Sequence, residues 1–123
     1  MADLGALDSA VRAAGRPVMV DLYADWCVAC KEFDALTFSD PAVRERLAGM
    51  TLLRVDVTAN SASDKALMRR YGLFGPPALL FFDAQGTEQG AARVVGFQNA
   101  AEFTQHLDGI SAAHPVVGSV ASR

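Results

Sequence analysis

The sequence predicts an α/β fold in which a central mixed sheet of about four strands is covered by helices on both faces. Strand-like apolar stretches alternate with stretches of helical periodicity over the first 72 residues, which is typical of a β-α-β unit with parallel strands. Two more strand-like stretches flank Asp83-Ala84-Gln85-Gly86, a sequence typical of a hairpin turn. With 123 residues, 51% of them hydrophobic, the chain suits one domain with a real core.

The predicted elements, with approximate ends, are helix 3–14, strand 18–24, helix 27–38, helix 41–49, strand 51–57, helix 63–71, strand 78–82, strand 92–96 and helix 99–107. Apolar residues recur at helical spacing through the first helix, and Gly15-Arg16-Pro17 stops it. The first strand is rich in β-branched and large apolar side chains, as in a strand buried on both faces, yet Asp21 lies at its middle. Ser39-Asp40-Pro41 separates the next two helices, because proline is favoured in a first turn.

The second half of the chain is divided by capping and turn residues. Ser63 is expected to open a helix that closes at Tyr71-Gly72, where glycine supplies a left-handed cap. Residues 92–96 are expected to pair back against residues 78–82. The domain is therefore expected over residues 1–110, followed by a loose tail over residues 111–123 that is small, polar and interrupted by Pro and Gly.

Charge and hydropathy exclude two classes of function. The 14 acidic and 11 basic residues leave a mildly negative chain without the Lys/Arg clusters of a nucleic-acid surface, so nucleic acid is not expected as a partner. No apolar stretch approaches the roughly 20 residues of a membrane-spanning helix, and the N-terminus has no signal-like segment. We expect this segment not to insert into a membrane, while its compartment stays open.

The most informative stretch is Trp26-Cys27-Val28-Ala29-Cys30-Lys31, which places the only two cysteines three positions apart directly after the first strand. Thiols at this spacing lie on one face of a helix's first turn, so a disulfide forms with little backbone movement. A loop this small removes little entropy from the unfolded chain, so stability is a poor reason for the pair. The arrangement predicts a redox-active dithiol.

The two sulfurs are expected to have different roles. Unpaired N–H groups and the positive end of the helix dipole favour a thiolate at Cys27, the predicted attacking sulfur. Cys30, one turn further into the helix, is expected to be shielded and to resolve the mixed disulfide formed at Cys27.

Three other uses of two cysteines fit this sequence less well. A structural zinc site needs four ligands, and His106 and His114 lie far along the chain. Covalent haem attachment needs His directly after the second cysteine, where this chain has Lys31. Two buried structural thiols would not need this spacing after a strand.

Several segments together resemble a known family. Trp-Cys-x-x-Cys-Lys after a strand with a central Asp, and Gly-x-Pro before a later strand, are similar to thioredoxin over about residues 3–109. More narrowly, four segments closely resemble the C-terminal periplasmic domain of the bacterial DsbD family of membrane thiol:disulfide reductases: residues 21–33, 37–41 (Thr-Phe-Ser-Asp-Pro), 57–60 (Val-Thr-Ala-Asn) and 80–83 (Leu-Phe-Phe-Asp).

The resemblance implies a thioredoxin fold and an electron relay in the periplasm. Such a domain accepts electrons from the membrane-embedded part of its parent protein and passes them to the parent's N-terminal periplasmic domain. Cytoplasmic thioredoxin is the ultimate donor in that family, and disulfide isomerases and cytochrome c maturation proteins benefit. The resemblance implies no flavin, metal or other cofactor, and we expect a monomer.

Two acids are expected to influence the dithiol. Asp21 is predicted to lie beneath the active-site turn, where burial raises its pKa and lets it exchange a proton with Cys30; alternatively, it only bonds a backbone group. By resemblance, Asp34 joins Asp21 in opposing the thiolate at Cys27, or else lies on a solvated helix face. Thioredoxins usually place a lysine near this Asp, and the stretch Thr51-Leu52-Leu53-Arg54 is expected to offer leucine there, so that a cationic partner is absent.

The resemblance also assigns the partner-binding residues. Pro77 matches the family's cis-proline, whose loop lies against the disulfide and pairs with a substrate backbone. Pro76 precedes it and has no N–H, so one main-chain bond to the partner is missing. Trp26 and Phe74 are expected to form an apolar collar around the site or, alternatively, to cap the core.

Two other functions remain open at this stage. One is a free-standing thioredoxin that reduces many substrates, and the other is a non-catalytic module that binds a partner through the Pro77 loop. The direction of electron flow depends on a reduction potential that the sequence does not determine.

Overall fold

The computed structural model describes residues 4–113. Its elements in chain order are α1 (Leu4–Ala13), β1 (Val18–Tyr23), α2 (Val28–Glu32) continued by a π-helical turn (Phe33–Thr37), α3 (Pro41–Leu47), β2 (Thr51–Asp56), α4 (Ala62–Arg70), β3 (Ala78–Phe82), a 3₁₀ turn (Gly90–Ala92), β4 (Val94–Val95) and α5 (Ala100–Ala113).

The sheet has four strands in the order β2-β1-β3-β4. β1 and β2 are parallel, with Val18 opposite Thr51, whereas β3 runs antiparallel to both β1 and β4. The α/β class and the mixed four-strand sheet are as predicted, and the β-α-β unit is present.

Side chains of β1 alternate between two cores, one on each face of the sheet. Val20 and Leu22 pack in the cluster that contains residues of α1 and α4, whereas Met19 packs with Phe33 and Phe103 from the other face. Because Asp21 has the same parity as Met19, it lies on the face covered by the active-site helix and α5. Helices therefore cover both faces, as expected.

The active-site helix differs from the single regular helix predicted for residues 27–38. It widens into a π-helical turn in which the Phe38 N–H bonds to the Phe33 carbonyl at 2.8 Å. The extra residue in this turn lets the rings of Phe33 and Phe38 stack with centroids 5.1 Å apart. It also lets the Thr37 hydroxyl donate to the Gln98 carbonyl at 2.7 Å. The Thr37–Gln98 bond joins residues 61 positions apart, so a local pattern does not reveal it.

The last strand is shorter than the predicted residues 92–96. Ala92 belongs to the 3₁₀ turn, and only Val94 and Val95 pair with β3. Gly96 follows at a φ of +96°, outside the range of a strand, and its N–H donates to the Pro77 carbonyl at 3.2 Å. Nearer the turn of the hairpin than this pairing, Phe82 and Glu88 form an isolated antiparallel β-bridge.

Two helix ends also differ from prediction. α4 begins after Ser61, not at Ser63, because Ser61 and Asp64 form a reciprocal capping box. It is followed by Gly72 at a φ of +67°, the left-handed residue that the sequence predicts. α5 continues to Ala113, so the expected loose tail is helical over residues 111–113; residues 114–123 of that tail lie outside the described residues. The domain limits 1–110 stay a prediction.

Candidate active site

Cys27 and Cys30 are joined by a disulfide at the start of α2, with their Cα atoms 5.3 Å apart. Cys27 is the N-cap residue, and its sulfur accepts the Cys30 N–H at 3.1 Å. A backbone donor and the positive end of the helix dipole therefore act on the Cys27 sulfur, which favours negative charge there. The pair lies just beyond the carboxyl end of β1, where the sequence places it.

The two cysteines are both largely covered. Cys27 is 6% exposed and Cys30 is 3% exposed. The Cys30 sulfur lies 3.8 Å from the Leu22 carbonyl oxygen, on the inner side of the turn. Cys27 thus keeps the larger accessible fraction, and the roles of attacking and resolving sulfur remain predictions that this arrangement accommodates.

Exposed apolar side chains lie on both sides of Cys27 in the chain and on the loop before Pro77. Trp26 is 57% exposed and Phe74 is fully exposed, so neither caps the core, and Val28 is also exposed. The Trp26 indole N–H donates to the Thr58 carbonyl at 3.0 Å, which fixes the ring to the loop after β2. Trp26, Val28 and Phe74 are called the apolar rim below: the first two adjoin Cys27 in the chain, and the third lies on the loop that leads to Pro77.

The peptide bond between Pro76 and Pro77 is cis, as the resemblance implies. β3 begins at the next residue, Ala78, which pairs with Leu22 near the carboxyl end of β1. This antiparallel pairing brings the proline loop to the same edge of the sheet as the disulfide. A partner-binding role for either proline stays a prediction.

Asp21 has a cationic partner, and the expectation that none exists is wrong. The parallel register pairs Asp21 with Arg54. The Arg54 Nε and Nη2 atoms donate to Asp21 Oδ2 at 3.0 and 2.7 Å. The resemblance to thioredoxin predicted leucine at this place. Leu53 instead packs in the core on the α1 and α4 side of the sheet, and Arg54 occupies the position paired with Asp21.

The same guanidinium binds Asp34 from the π-helical turn. Nη2 donates to Asp34 Oδ1 at 2.6 Å and Nη1 donates to Oδ2 at 3.2 Å. The Asp34 side chain is 38% exposed, so this carboxylate is ion-paired at the surface and is not simply solvated. The sequence correctly groups Asp21 and Asp34, but it misses the residue that joins them.

Burial dominates the electrostatics of Asp21. Desolvation raises the pKa of its carboxyl above the ordinary value, the hydrogen bonds and charge of Arg54 oppose that rise, and the charge of Asp34 adds to it. Burial also disfavours the Arg54 cation, but its hydrogen bonds to Asp34 and Asp21 outweigh this and raise the pKa of Arg54. Asp21 accepts these hydrogen bonds from the Arg54 side chain. The alternative expectation was that Asp21 bonds only a nearby backbone group.

Arg54 was detectable from strand counting. β1 and β2 start their pairing at Val18 and Thr51, so the fourth residue of one strand faces the fourth residue of the other. Counting from both strand starts would have placed Arg54 beside Asp21. Recognising Arg54 as the partner of Asp21 requires the register between β1 and β2, and a register is a property of two segments together.

The acids and Arg54 line an open cleft of about 390 Å³ beside the active-site helix. Its other lining residues are Met19, Phe38, Arg44, Leu47, Ala48, Leu52 and Leu53. Within residues 4–113, no three His, Cys, Asp or Glu side chains are grouped closely enough to hold a metal ion. Over the same range, no helix combines the length and apolar character needed to cross a bilayer.

Comparison with known proteins identifies the family. The sequence pattern of the thioredoxin-like domain matches residues 6–111. The chain belongs to the thioredoxin-like domain family. Among solved structures, this thioredoxin-like domain is similar to the reduced C-terminal domain of DsbD from Neisseria meningitidis, with 34% identity, a TM-score of 0.71, and coverage of 88% of this chain and 96% of that one.

Curated relatives point to the same group. The domain is 56% identical over 111 residues to the thiol:disulfide interchange protein DsbD of Yersinia enterocolitica, covering 89% of this chain and 19% of the relative. It is 59% identical over 104 residues to DsbD of Ralstonia nicotianae, covering 82% of this chain and 17% of the relative. The chain thus spans less than a fifth of the length of these relatives.

Proposed function

We propose that this thioredoxin-like domain is a thiol:disulfide oxidoreductase that relays electrons within a DsbD-type protein. It would receive them from a membrane-embedded domain and pass them to an N-terminal periplasmic domain. The observation that carries the proposal is the Cys27–Cys30 disulfide at the start of α2, in a chain more than half identical to segments of two DsbD proteins.

The dithiol transfers two electrons by two exchange steps. In the first, the Cys27 thiolate attacks one sulfur of the partner disulfide, which forms a mixed disulfide and releases the other partner sulfur as a thiolate. In the second, Cys30 loses its proton and attacks the Cys27 sulfur, which restores the Cys27–Cys30 bond and releases the second partner thiolate. The partner is reduced by two electrons and this domain is oxidised by two. The same two steps in reverse, with a donor dithiol, reduce the Cys27–Cys30 disulfide again.

Asp21 is the proposed proton acceptor for Cys30 in the second step. It lies on β1 next to Leu22, whose carbonyl oxygen is 3.8 Å from the Cys30 sulfur, and burial raises the pKa of its carboxyl above the ordinary value. Asp34 adds a second negative charge near the site. Their negative charge, which the Arg54 cation paired with both partly cancels, opposes the thiolate at Cys27 and so limits idle reaction of the resting dithiol.

Docking is assigned to the apolar rim and the proline loop. Trp26, which precedes Cys27, and Phe74, on the loop that leads to Pro77, both expose aromatic surface, which suits contact with a partner protein. The Pro77 loop lies at the same edge, where an extended partner segment can be added to the site. Pro76 has no N–H to donate, so apolar contact supplies more of the recognition than main-chain pairing.

The setting of the relay is proposed from the resemblance to the DsbD family. The domain would act as a monomeric part of a periplasm-facing protein, with no cofactor beyond its own disulfide. Through the N-terminal domain, its electrons would support disulfide isomerases and cytochrome c maturation.

Trapping the mixed disulfide tests the proposal. With the oxidised N-terminal domain of a DsbD-type protein, Cys30→Ser should accumulate a covalent 1:1 complex through Cys27, seen on non-reducing gels and located by mass spectrometry. Cys27→Ser is the matched control and should trap none. Trapping by Cys27→Ser alone would reverse the assigned roles, and trapping by neither variant would contradict the relay.

A free-standing reductase is the second candidate. It is favoured by the similarity to a thioredoxin from Thermus thermophilus, with a TM-score of 0.73, 26% identity and 97% of this chain covered. Rapid reduction of insulin, with no preference for the N-terminal domain of a DsbD-type protein, would support this candidate over the relay.

A further inference from the structure

We propose that Arg93 is a positioning residue for partner docking: it clamps the start of the proline loop (residues 72–77), so that Phe74 and Pro77 are in place before a partner arrives. This inference rests on the proposed docking role of that loop. It concerns a side chain that lies outside the loop and acts on it through the backbone of Tyr71.

The Arg93 guanidinium caps the helix that leads into the proline loop. Its Nη1 atom donates to the Tyr71 carbonyl oxygen at 2.6 Å. Tyr71 is the C-cap residue of α4, and Arg93 lies 22 positions further along the chain. The last carbonyl groups of a helix lack an N–H partner within it, and a cation that binds one of them also meets the negative end of the helix dipole. The start of the loop is therefore held from outside α4.

The hairpin after β3 orients Arg93. Its Nε and Nη2 atoms donate to the two carboxylate oxygens of Glu88 at 2.5 and 3.0 Å. This bidentate arrangement fixes the plane of the guanidinium and leaves Nη1 directed at Tyr71. The Arg93 and Glu88 side chains are 29% and 20% exposed, so water screens their attraction less than that of a fully exposed ion pair. Glu88 is in turn held by its β-bridge with Phe82.

The end of the proline loop is held by the same segment, residues 93–96. Val95 pairs with Ala78, and the Gly96 N–H donates to the Pro77 carbonyl oxygen at 3.2 Å. One short segment thus binds the loop at both of its ends. The loop cannot shift relative to this segment without breaking hydrogen bonds at one end or the other.

Two contacts connect the end of the proline loop to the disulfide. Ala78, directly after Pro77, pairs with Leu22 on β1. The Leu22 carbonyl oxygen lies 3.8 Å from the Cys30 sulfur. A shift of the loop relative to β1 would therefore move the proposed docking residues relative to the reacting sulfurs.

The middle of the proline loop needs an external constraint in order to be preorganised. The Phe74 side chain is fully exposed, and Gly75, which follows it, has more backbone freedom than any other residue type. A loop that becomes ordered only on binding weakens the complex, because its lost conformational freedom opposes association. By fixing the start of the loop, Arg93 reduces this cost.

Hydrogen–deuterium exchange of the oxidised chain measures the clamp without any partner. The Leu73 N–H bonds the Met68 carbonyl at 2.8 Å, immediately after the residue that Arg93 caps. In Arg93→Met, the Leu73 amide should exchange about fivefold faster than in wild type, the effect of losing one hydrogen bond of ordinary strength nearby. The Thr51 amide, which bonds the Pro17 carbonyl at the far side of the sheet, should exchange as in wild type.

Arg70→Met is the matched control variant. Arg70 is the last residue of α4, and its guanidinium lies over the same Tyr71 ring at 5.2 Å from the centroid. Its removal takes away the same charge from the same region, and the Leu73 amide should keep its wild-type exchange rate. Unchanged exchange of Leu73 in Arg93→Met, or equal acceleration in both variants, would overturn the proposal.

Single-turnover reduction of protein disulfides separates docking from exchange. The reduced chain is mixed with increasing insulin, or with the oxidised N-terminal domain of a DsbD-type protein. Arg93→Met should need about fivefold more protein for half-maximal rate, with its limiting rate within about twofold of wild type, because the partner must now order the loop. A small aryl disulfide, which needs no docking loop, should react at the wild-type rate. An unchanged half-saturating concentration, or an equal slowing with the small disulfide, would contradict the proposal.

A double variant guards against a general loss of stability. Arg93→Met leaves the partly buried Glu88 carboxylate without its cation, whereas Glu88→Gln combined with Arg93→Met removes that charge. The double variant should keep the raised half-saturating concentration of Arg93→Met, because Glu88 acts on the loop through Arg93. A return to the wild-type value would show that the unpaired carboxylate caused the effect and would overturn the proposal.

Failure of the relay gives a different result from failure of the clamp. Wild-type chain that reduces insulin but not the N-terminal domain of a DsbD-type protein would contradict the relay alone. The insulin and amide-exchange measurements would then still decide the role of Arg93.

Discussion

Asp21 is a carboxylate within a strand that is otherwise apolar, and the Arg54 cation pairs with it from the neighbouring strand. Removing a carboxylate from water costs free energy, and hydrogen bonds to a guanidinium recover part of it. Burial wins in this case, because the pKa of Asp21 is raised despite Arg54. A buried carboxyl whose charge is only partly compensated is a candidate for a functional role, and the proton exchange with Cys30 proposed above would be that role.

The raised pKa of Asp21 predicts how stability changes with pH. Above its unfolded-state pKa the folded protein binds the Asp21 proton more tightly than the unfolded chain, so this residue lowers the free energy of unfolding as pH rises through the folded-state pKa. Asp21→Asn should therefore be more stable than wild type to urea at pH 7, and this gain should disappear on acidification to pH 3.

The exposed Asp25→Asn is the control for this prediction, and its stability should stay within about 0.5 kcal/mol of wild type. A loss of stability in Asp21→Asn at pH 7, with no recovery in acid, would mean that the Arg54 hydrogen bonds outweigh burial. Urea unfolding of the oxidised proteins at both pH values makes the comparison.

At the level of elements, capping residues determine where helices begin. Asp40 accepts the N–H groups of Ala42 and Val43 at the start of α3, directly before Pro41. Ser61 and Asp64 exchange hydrogen bonds at the start of α4, at 3.1 and 3.0 Å. These caps satisfy N–H groups that have no partner within the helix. The helices that they begin pack in different cores, α3 with Phe33 and α4 with Leu22.

The capping box gives a prediction for α4. Ser61→Ala should lower the free energy of unfolding by about 1 kcal/mol, because the Asp64 N–H loses its acceptor. Ser63→Ala, two positions along and exposed, should cost less than about 0.5 kcal/mol. Equal losses in the two variants, measured by urea unfolding, would contradict the assigned cap.

At the level of the whole molecule, a cluster of aromatic rings packs the active-site helix against α5 and the loop that precedes it. Phe33 lies with its ring centroid 5.1 Å from Phe38, 5.1 Å from Phe97 and 6.2 Å from Phe103. These rings belong to the π-helical turn, the loop after β4 and α5. The dithiol is thus carried by a helix whose inner side is packed against the rest of the core.

Truncating this cluster should affect the entire fold. Phe33→Ala removes a buried ring and leaves a cavity, so we expect a loss of about 3–5 kcal/mol in the free energy of unfolding. Leu36→Ala, an exposed position in the same π-helical turn, should lose less than about 1 kcal/mol. Similar losses in both variants would show that the turn itself, and not its packing, dominates.

Local patterns determined much of this protein. Strand and helix periodicity, helix-stopping residues and the hairpin turn predicted the four-strand sheet with helices on both faces. The paired cysteines after β1 predicted the disulfide, and the proline loop was placed by its motif. Each of these signals lies within about a dozen neighbouring residues, so the physical causes are visible in the sequence itself.

Tertiary structure decided the features that depend on distant segments. Arg54 binds Asp21 because two strands 33 positions apart adopt one register, and the π-helical turn forms where Thr37 meets Gln98, 61 positions away. β4 is short because Gly96 turns away after two paired residues. Packing and register are joint properties of several segments, so a reading of one segment at a time predicted the dithiol but not the arginine that completes its surroundings.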